Sequence, residues 1–224
     1  MDRKGLMVAL LIGLLVGIVF AINPKLDLQI AAPFYDVADR DGNQFALRIY
    51  PPLRHAHDIA LWLVVALATS STLILLNKAI RRNGIRSTRA IAFLLMSFAL
   101  GPGLLVNVLL KDHWGRPRPI DVTQFGGDQH FVSWWDPRGD CPRNCSFVSG
   151  DVSSAFWTIA PAALAPPQWR LLAYTAAVFF GVAMAVSRIV VGAHFFTDTV
   201  FAGVFTFLLV WLLYALIIRR AEND

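Results

Sequence analysis

Six apolar runs are the feature of this sequence that most limits the structures it can form. Most of them approach the roughly 20 residues that an α-helix needs to cross the hydrocarbon core of a bilayer. The fourth run falls short and ends at a Pro-Pro pair. In chain order the runs are 6–22, 59–76, 91–110, 152–165, 171–191 and 199–218. We therefore predict an all-α fold, a six-helix membrane bundle that forms a single domain over residues 1–224.

The composition is typical of a protein whose solvent is the bilayer. Hydrophobic residues make up 56% of the chain and the mean hydropathy is +0.55, whereas an ordinary soluble domain has about 45–50% apolar residues, glycine included. The formal net charge is +5. In a membrane protein such a basic excess usually anchors cytoplasmic loops, so we expect the bilayer and not nucleic acid as a partner.

The basic residues predict the orientation of the chain. The loop 77–89 has no acidic residue and is basic at Lys78, Arg81, Arg82, Arg86 and Arg89, which marks it as cytoplasmic by the positive-inside rule. With six spans both termini are then cytoplasmic, and the loops 111–151 and 187–198 share the outer face with the segment 23–58. The first run is followed by no clear small-x-small cleavage site, so we predict an uncleaved helix and not a signal peptide.

A basic cluster closes the third run on the outer face. It spans residues 111–119 and includes Lys111 and Arg118. Long cationic side chains at a helix end often serve only as anchors that reach toward the headgroups. The functional alternative is a phosphate clamp, because an ammonium supplies a point charge and a guanidinium supplies a planar fork for two oxygens.

A Ser-Gly turn at residues 146–151 precedes the fourth run. Unpaired backbone N–H groups at the start of a helix can hold an anion, and Gly150 would let the backbone approach it closely. The simpler interpretation is a plain helix cap formed by Ser149 or Asp151. The residues of this segment leave both interpretations open.

The third cluster brings Arg188, His194 and Asp198 to the start of the sixth run. If the helix has begun by His194, positions four apart share a face, and Asp198 can accept a hydrogen bond from one ring nitrogen. The other nitrogen is then free to attack. A lone His at a helix end is usually an interfacial residue, but the three side chains together favour a nucleophile.

Together the three clusters resemble the type 2 phosphatidic acid phosphatase superfamily, whose pattern is Lys-x6-Arg-Pro, Pro-Ser-Gly-His and Ser-Arg-x5-His-x3-Asp. Two motifs are complete here, the first as Lys111, Arg118 and Pro119 and the third as Ser187, Arg188, His194 and Asp198. The resemblance implies a phosphatase in which His194 forms a phosphohistidine and Asp198 orients it. It implies no metal and no other cofactor, with the phosphoryl oxygens held by Lys111, Arg118, Ser149, Gly150 and Arg188.

The second motif departs from the family pattern, with Val148 for proline and Asp151 for the histidine that protonates the leaving oxygen. A nearby phosphate and partial burial would favour a protonated Asp151, which could then act as the acid. Alternatively Asp151 only caps its helix. The acid is then His113 or His130, or it is unnecessary because the leaving group is stable.

The resemblance and the topology rank the substrates. A bacterial inner-membrane enzyme with a periplasmic site suggests lipid A phosphates first, then undecaprenyl diphosphate, and then phosphatidylglycerol phosphate or phosphatidic acid. Phosphoryl transfer to a lipid and a non-catalytic protein that binds phosphorylated lipid are the alternatives. The residues do not settle whether Cys141 and Cys145 pair outside the cytoplasm. We interpret the outer aromatic residues as an interfacial belt, Phe131, Trp134, Trp135 and Trp157.

Overall fold

In the computed structural model, every regular element of the described residues is a helix. The structure describes residues 1, 3–36, 44–82 and 85–219. Parts of the predicted outer segment 23–58 and of the loop 77–89 lie outside the described residues, as do the side chains of Arg82 and Arg86. The prediction of an all-α fold is confirmed.

Nine α-helices follow one another along the described chain. They are α1 (Arg3–Ile22), α2 (Lys25–Ala31), α3 (Pro51–Arg82), α4 (Ile85–Phe98), α5 (Lys111–His113), α6 (Gly150–Phe156), α7 (Ile159–Ala163), α8 (Pro167–Val190) and α9 (Phe196–Leu213). Five stretches of this part of the chain are long and apolar enough to cross a membrane: α1, α3, α8, the composite 87–113 and α9 with its extension to Arg219. The chain is a multi-pass membrane protein.

The fourth predicted run does not form a single long helix. It folds as α6 and α7, which a turn at Trp157 and Thr158 separates, and the Thr158 hydroxyl donates to the carbonyl oxygen of Ala155. Most side chains of this pair of helices are buried within the protein. α6 packs closely on its neighbours because Gly181 leaves room for the Phe156 ring, which a Cβ there would meet at 2.7 Å. The run is shorter than a membrane-crossing helix because it forms two short helices that are surrounded by the long helices of the bundle.

The helix that leads to the basic cluster is widened. Between α4 and α5 the residues 99–110 adopt a π-helical path that contains Pro102. Proline lacks the N–H that a regular helical hydrogen bond needs, which favours such a local change of path. The Asn107 side chain donates to the carbonyl oxygen of Pro102 at 2.7 Å and stabilises the widened turn. The path ends directly at Lys111.

One of the residues that we assigned to an aromatic belt lies inside the protein. Trp157 is 1% exposed and donates its ring N–H to Ser97. The belt interpretation is wrong for this residue, because helix packing covers it. Trp134 is half-buried, and its ring packs on Phe201 with centroids 4.4 Å apart. Trp135 is exposed. The exposed apolar side chains are instead concentrated on α1, α3 and α8, as expected for helices that face lipid.

The segment between α1 and α3 covers the site end of the bundle. α2 follows α1 almost directly, and Ala31 and Phe45 pack with Val122, Phe125 and Phe195 in one apolar cluster. In the loop that precedes α6, Cys141 and Cys145 form a disulfide, so the pairing left open above is made.

Candidate functional site

The three sequence clusters meet at one end of the helix bundle. The chain reaches this end at the C-termini of α5 and α8 and leaves it at the N-termini of α6 and α9. Contacts described below connect all eight predicted site residues: Lys111, Arg118, Ser149, Gly150, Asp151, Arg188, His194 and Asp198. The alternation of helix directions therefore places motifs that are up to 87 positions apart in one site.

The ring of His194 is buried and held in one orientation. Its Nδ1 lies 2.8 Å from the carbonyl oxygen of Ser146. A carbonyl oxygen can only accept, so Nδ1 carries the hydrogen and Nε2 has the lone pair. Burial, followed by the charges of Arg118, Lys111 and Arg188, holds the pKa of His194 well below its ordinary value. The ring is therefore neutral near pH 7, with its lone pair on Nε2.

The hydrogen bond that we predicted between His194 and Asp198 is not made. Nδ1 is 4.0 Å from the nearest carboxylate oxygen, which accepts instead from the Ser146 hydroxyl at 2.5 Å and from the backbone N–H of Phe195 at 2.8 Å. The reason is that α9 begins only at Phe196, so residues 194 and 198 are not one helical turn apart. Asp198 thus acts on the imidazole through Ser146.

A buried guanidinium holds Asp198 from the other side. Arg116 is 0% exposed and donates to Asp198, to Asp27 at 2.8 Å and to Thr197 at 2.8 Å. Asp27 also accepts from the backbone N–H and the hydroxyl of Thr197, at 3.0 and 2.6 Å. Although burial alone would lower it, the carboxylates of Asp198 and Asp27 hold the pKa of Arg116 above its ordinary value.

Two of the predicted phosphate-binding cations line an open cavity of about 230 Å³. Arg118 and Arg188 form part of its wall, and Arg118 is braced by donating to the carbonyl oxygen of Asn144 at 2.9 Å. Residues before and within α3 complete the basic surface with Arg48 and Arg54. The cavity is suited to an anionic ligand.

The start of α6 approaches the widened helix closely. A Cβ on Gly150 would lie 2.6 Å from Asn107 Oδ1 and 3.4 Å from Lys111 Nζ, so glycine permits this contact. Ser149 is buried, caps α6 by accepting from Val152 and donates its backbone N–H to the carbonyl oxygen of Asp198 at 3.3 Å. The ammonium of Lys111 thus lies beside the Ser-Gly turn.

Asp151 has two neighbours that no local motif indicates. Its Oδ2 lies 3.2 Å from Nε2 of His57 on α3 and 3.2 Å from Nε of Arg188. Neither of the two histidines that we considered as alternative acids lines the cavity of Arg118 and Arg188. His113 contacts the backbone carbonyl oxygens of Val108 and Leu109, and His130 is exposed.

Sequence reasoning missed four residues of this site: Asp27, His57, Arg116 and Ser146. Arg116 stood in the basic cluster but was given no role. The one available signal for Asp27 was a carboxylate between two leucines, Leu26 and Leu28, since an acid in an apolar context needs a partner. His57 carries no such signal.

The chain is similar in sequence to known proteins. A family model described as the PAP2 superfamily matches residues 89–222. The lipid A 4'-phosphatase of Francisella tularensis subsp. novicida is 37% identical over 224 residues, which cover 99% of this chain and 100% of that protein. The lipid A 4'-phosphatase of Rhizobium etli is 41% identical over 99 residues, 44% of this chain and 38% of that protein.

Among solved structures, the chain resembles the first transmembrane PAP2 type phosphatidylglycerolphosphate phosphatase from Bacillus subtilis. The TM-score is 0.57 with 19% identity, and the match covers 94% of each chain. At this identity the likeness concerns the fold alone.

Proposed function

The chain belongs to the PAP2 superfamily, and we propose that it removes the 4'-phosphate of lipid A by forming a phosphohistidine on His194. It is a membrane phosphatase that acts on a lipid. The choice of lipid A rests on the relative from Francisella, because that similarity extends over the whole chain and therefore includes the segments outside residues 89–222. Water is the acceptor of the phosphoryl group in this proposal.

The orientation of the His194 ring carries the mechanism. Its Nδ1–H is used by the carbonyl oxygen of Ser146, so the lone pair of the neutral ring is on Nε2. Attack of Nε2 on phosphorus makes the ring cationic. Ser146 and Asp198 keep the ring and its tautomer fixed during this change, which is a positioning role for Asp198.

Three cations and one turn are proposed to hold the phosphoryl group. Lys111, Arg118 and Arg188 would neutralise the oxygens whose charge increases in the transition state. The backbone N–H of Gly150 and the hydroxyl of Ser149 would complete the cradle. We propose that these groups act without a metal ion, since three side-chain cations supply comparable charge.

The test is phosphate release by the purified, detergent-solubilised protein with EDTA present. The panel contains lipid A, undecaprenyl diphosphate, phosphatidic acid and phosphatidylglycerol phosphate, and mass spectrometry of the product identifies which phosphate of lipid A is lost. We expect hydrolysis of lipid A at the 4' position. His194→Ala should lose essentially all turnover, while His130→Ala, which changes an exposed histidine of the same outer loop region, should keep it.

The outcomes separate the competing functions. Full activity of His194→Ala would contradict the nucleophile assignment, and dependence on added metal would contradict the metal-free mechanism. If another lipid is hydrolysed in preference to lipid A, that lipid replaces lipid A as the proposed substrate. Binding without release, or release only when an acceptor lipid is added, would favour the binding protein or the phosphotransferase.

A further inference from the structure

The departing oxygen of a sugar phosphate is a poor leaving group unless it receives a proton. The second motif of this chain offers Asp151 at the position of the family's histidine, yet the Asp151 carboxylate contacts the guanidinium of Arg188. The same carboxylate oxygen faces ring and guanidinium nitrogens of His57 and Arg188, so this geometry uses it as an acceptor. A different group is therefore better placed to supply the proton.

His57 has the position and the chemistry of that group. Its side chain is 20% exposed and lines the same cavity as Arg118 and Arg188. Its Nε2 contacts Asp151 at 3.2 Å, and its Nδ1 contacts Asp58 at 3.4 Å. The imidazole thus lines the cavity and lies between two carboxylates, with Nε2 directed to Asp151 and Nδ1 to Asp58 at the longer distance.

We propose that His57 is the proton donor to the leaving oxygen and that Asp151 holds it in place. Asp151 contacts both His57 and Arg188, so it ties the donor on α3 to a phosphate-binding cation on α8. An imidazole from outside residues 89–222 would thereby replace the one that the second motif lacks. This inference rests on the proposed phosphatase function.

The two chemical steps balance with His57 in this role. In the first, Nε2 of His194 bonds to phosphorus, the bond from phosphorus to the leaving oxygen breaks, and that oxygen keeps the electron pair. It takes a proton from Nδ1 of cationic His57, while Nε2 of His57 stays on Asp151. In the second, water attacks phosphorus and gives a proton to neutral His57. The phosphorus–nitrogen bond breaks, its electron pair returns to His194, and phosphate leaves.

The test compares His57→Gln with His55→Gln, a matched change two residues away on the exposed part of α3. Each variant is assayed on the lipid phosphate that the wild type hydrolyses and on p-nitrophenyl phosphate, whose leaving group needs no proton. For His57→Gln we expect kcat/KM, which reports the first chemical step and not the later hydrolysis of the phosphohistidine, to fall roughly 10²–10⁴-fold on the lipid and to stay within about tenfold of wild type on the nitrophenyl ester. His55→Gln should match wild type on both.

The pH profile on the lipid is a second readout that does not depend on the aryl ester. Loss of the donor should remove the basic limb of the kcat profile, because that limb reports deprotonation of the acid. The charged groups that surround His57 and contribute to that limb are Arg48, Arg54, Asp58, Arg118, Asp151 and Arg188. Asp151→Asn, which keeps the shape but weakens the hold on His57, should shift the limb without removing it.

The results distinguish this inference from the function on which it rests. If the wild type hydrolyses a lipid and His194→Ala is dead, but His57→Gln keeps both the rate and the basic limb, His57 is not the donor. Equal losses of kcat/KM on the lipid and on the nitrophenyl ester would indicate a structural role and overturn the proposal as well. If the wild type hydrolyses no lipid, the proposed function fails first. Gel filtration of each variant in detergent verifies that it is folded.

Discussion

Asp27 offers a direct test of the buried network that holds the site. Its carboxylate is 1% exposed and accepts from the Arg116 guanidinium and twice from Thr197. Asp27→Ala leaves a buried guanidinium with one carboxylate fewer. Breaking a buried ion pair from one side typically costs about 3–5 kcal/mol, because the remaining charge stays desolvated.

The matched control is an exposed ion pair of the same type and length. Asp136 accepts from Arg138 at 2.8 Å, the same distance as between Asp27 and Arg116, but the Arg138 side chain is 79% exposed. Water replaces such a partner readily, so Asp136→Ala should leave the thermal midpoint unchanged. For Asp27→Ala in detergent, the cost above corresponds to a midpoint roughly 6–20 °C lower, at about 2–4 °C per kcal/mol for a chain of this size.

The same variant should lose activity as well as stability. Arg116 also holds Asp198, which holds Ser146, so a shift of the guanidinium is transmitted to the carbonyl oxygen that orients His194. We expect kcat to fall while KM changes little, since Asp27 contacts none of the proposed phosphate ligands. A midpoint for Asp27→Ala as high as that of Asp136→Ala, with normal kcat, would refute the role of this network.

Two further predictions concern charge. Arg118→Gln removes one of the cations that, after burial, lower the pKa of His194. The pKa of His194 should therefore rise toward its ordinary value, the ring should protonate at higher pH, and the acid limb of the kcat/KM profile should move to higher pH. A lower maximum of kcat/KM with an unmoved acid limb would limit Arg118 to substrate binding. We also propose that the chain lies in the bacterial inner membrane with a periplasmic site, because Lys78, Arg81 and Arg89 lie near the junction of α3 and α4, opposite the site. A C-terminal reporter that is active only in the cytoplasm should then be active. Activity of a matched C-terminal reporter that works only in the periplasm would show that the orientation is the reverse of the proposed one.

The parts of the site that the sequence could predict are those encoded by local spacing. Lys111 and Arg118, or Arg188 and His194, are separated by a few positions, and each set falls beside an apolar run whose length predicts a helix. Alternation of the helices then brings the sets to one face. Hydrophobic length therefore predicts the helical frame, and local spacing beside each run predicts the proposed phosphate-binding groups.

The remainder depends on contacts between distant segments. His57 meets Asp151 across 94 positions and Asp27 meets Thr197 across 170, and nothing near either residue indicates its partner. The hydrogen bond from His194 to Asp198 was mispredicted for a local reason, because the helix begins two residues later than a shared face requires. The fourth run was predicted as one helix over 152–165, but it folds as two short helices that are packed by protein and need not span the lipid.

The contact between Asp27 and α9 also sets the order in which the protein can be completed. The residues that Asp27 needs follow it by 89 and 170 positions. At a synthesis rate of about 5–20 residues per second, Asp27 waits roughly 10–30 s for Thr197. During the first half of that interval α1 and α2 are already made, while neither Arg116 nor Thr197 has been synthesised. The pocket around His194 is therefore among the last parts of the molecule to form, and the insertion of α9 is the event that closes it.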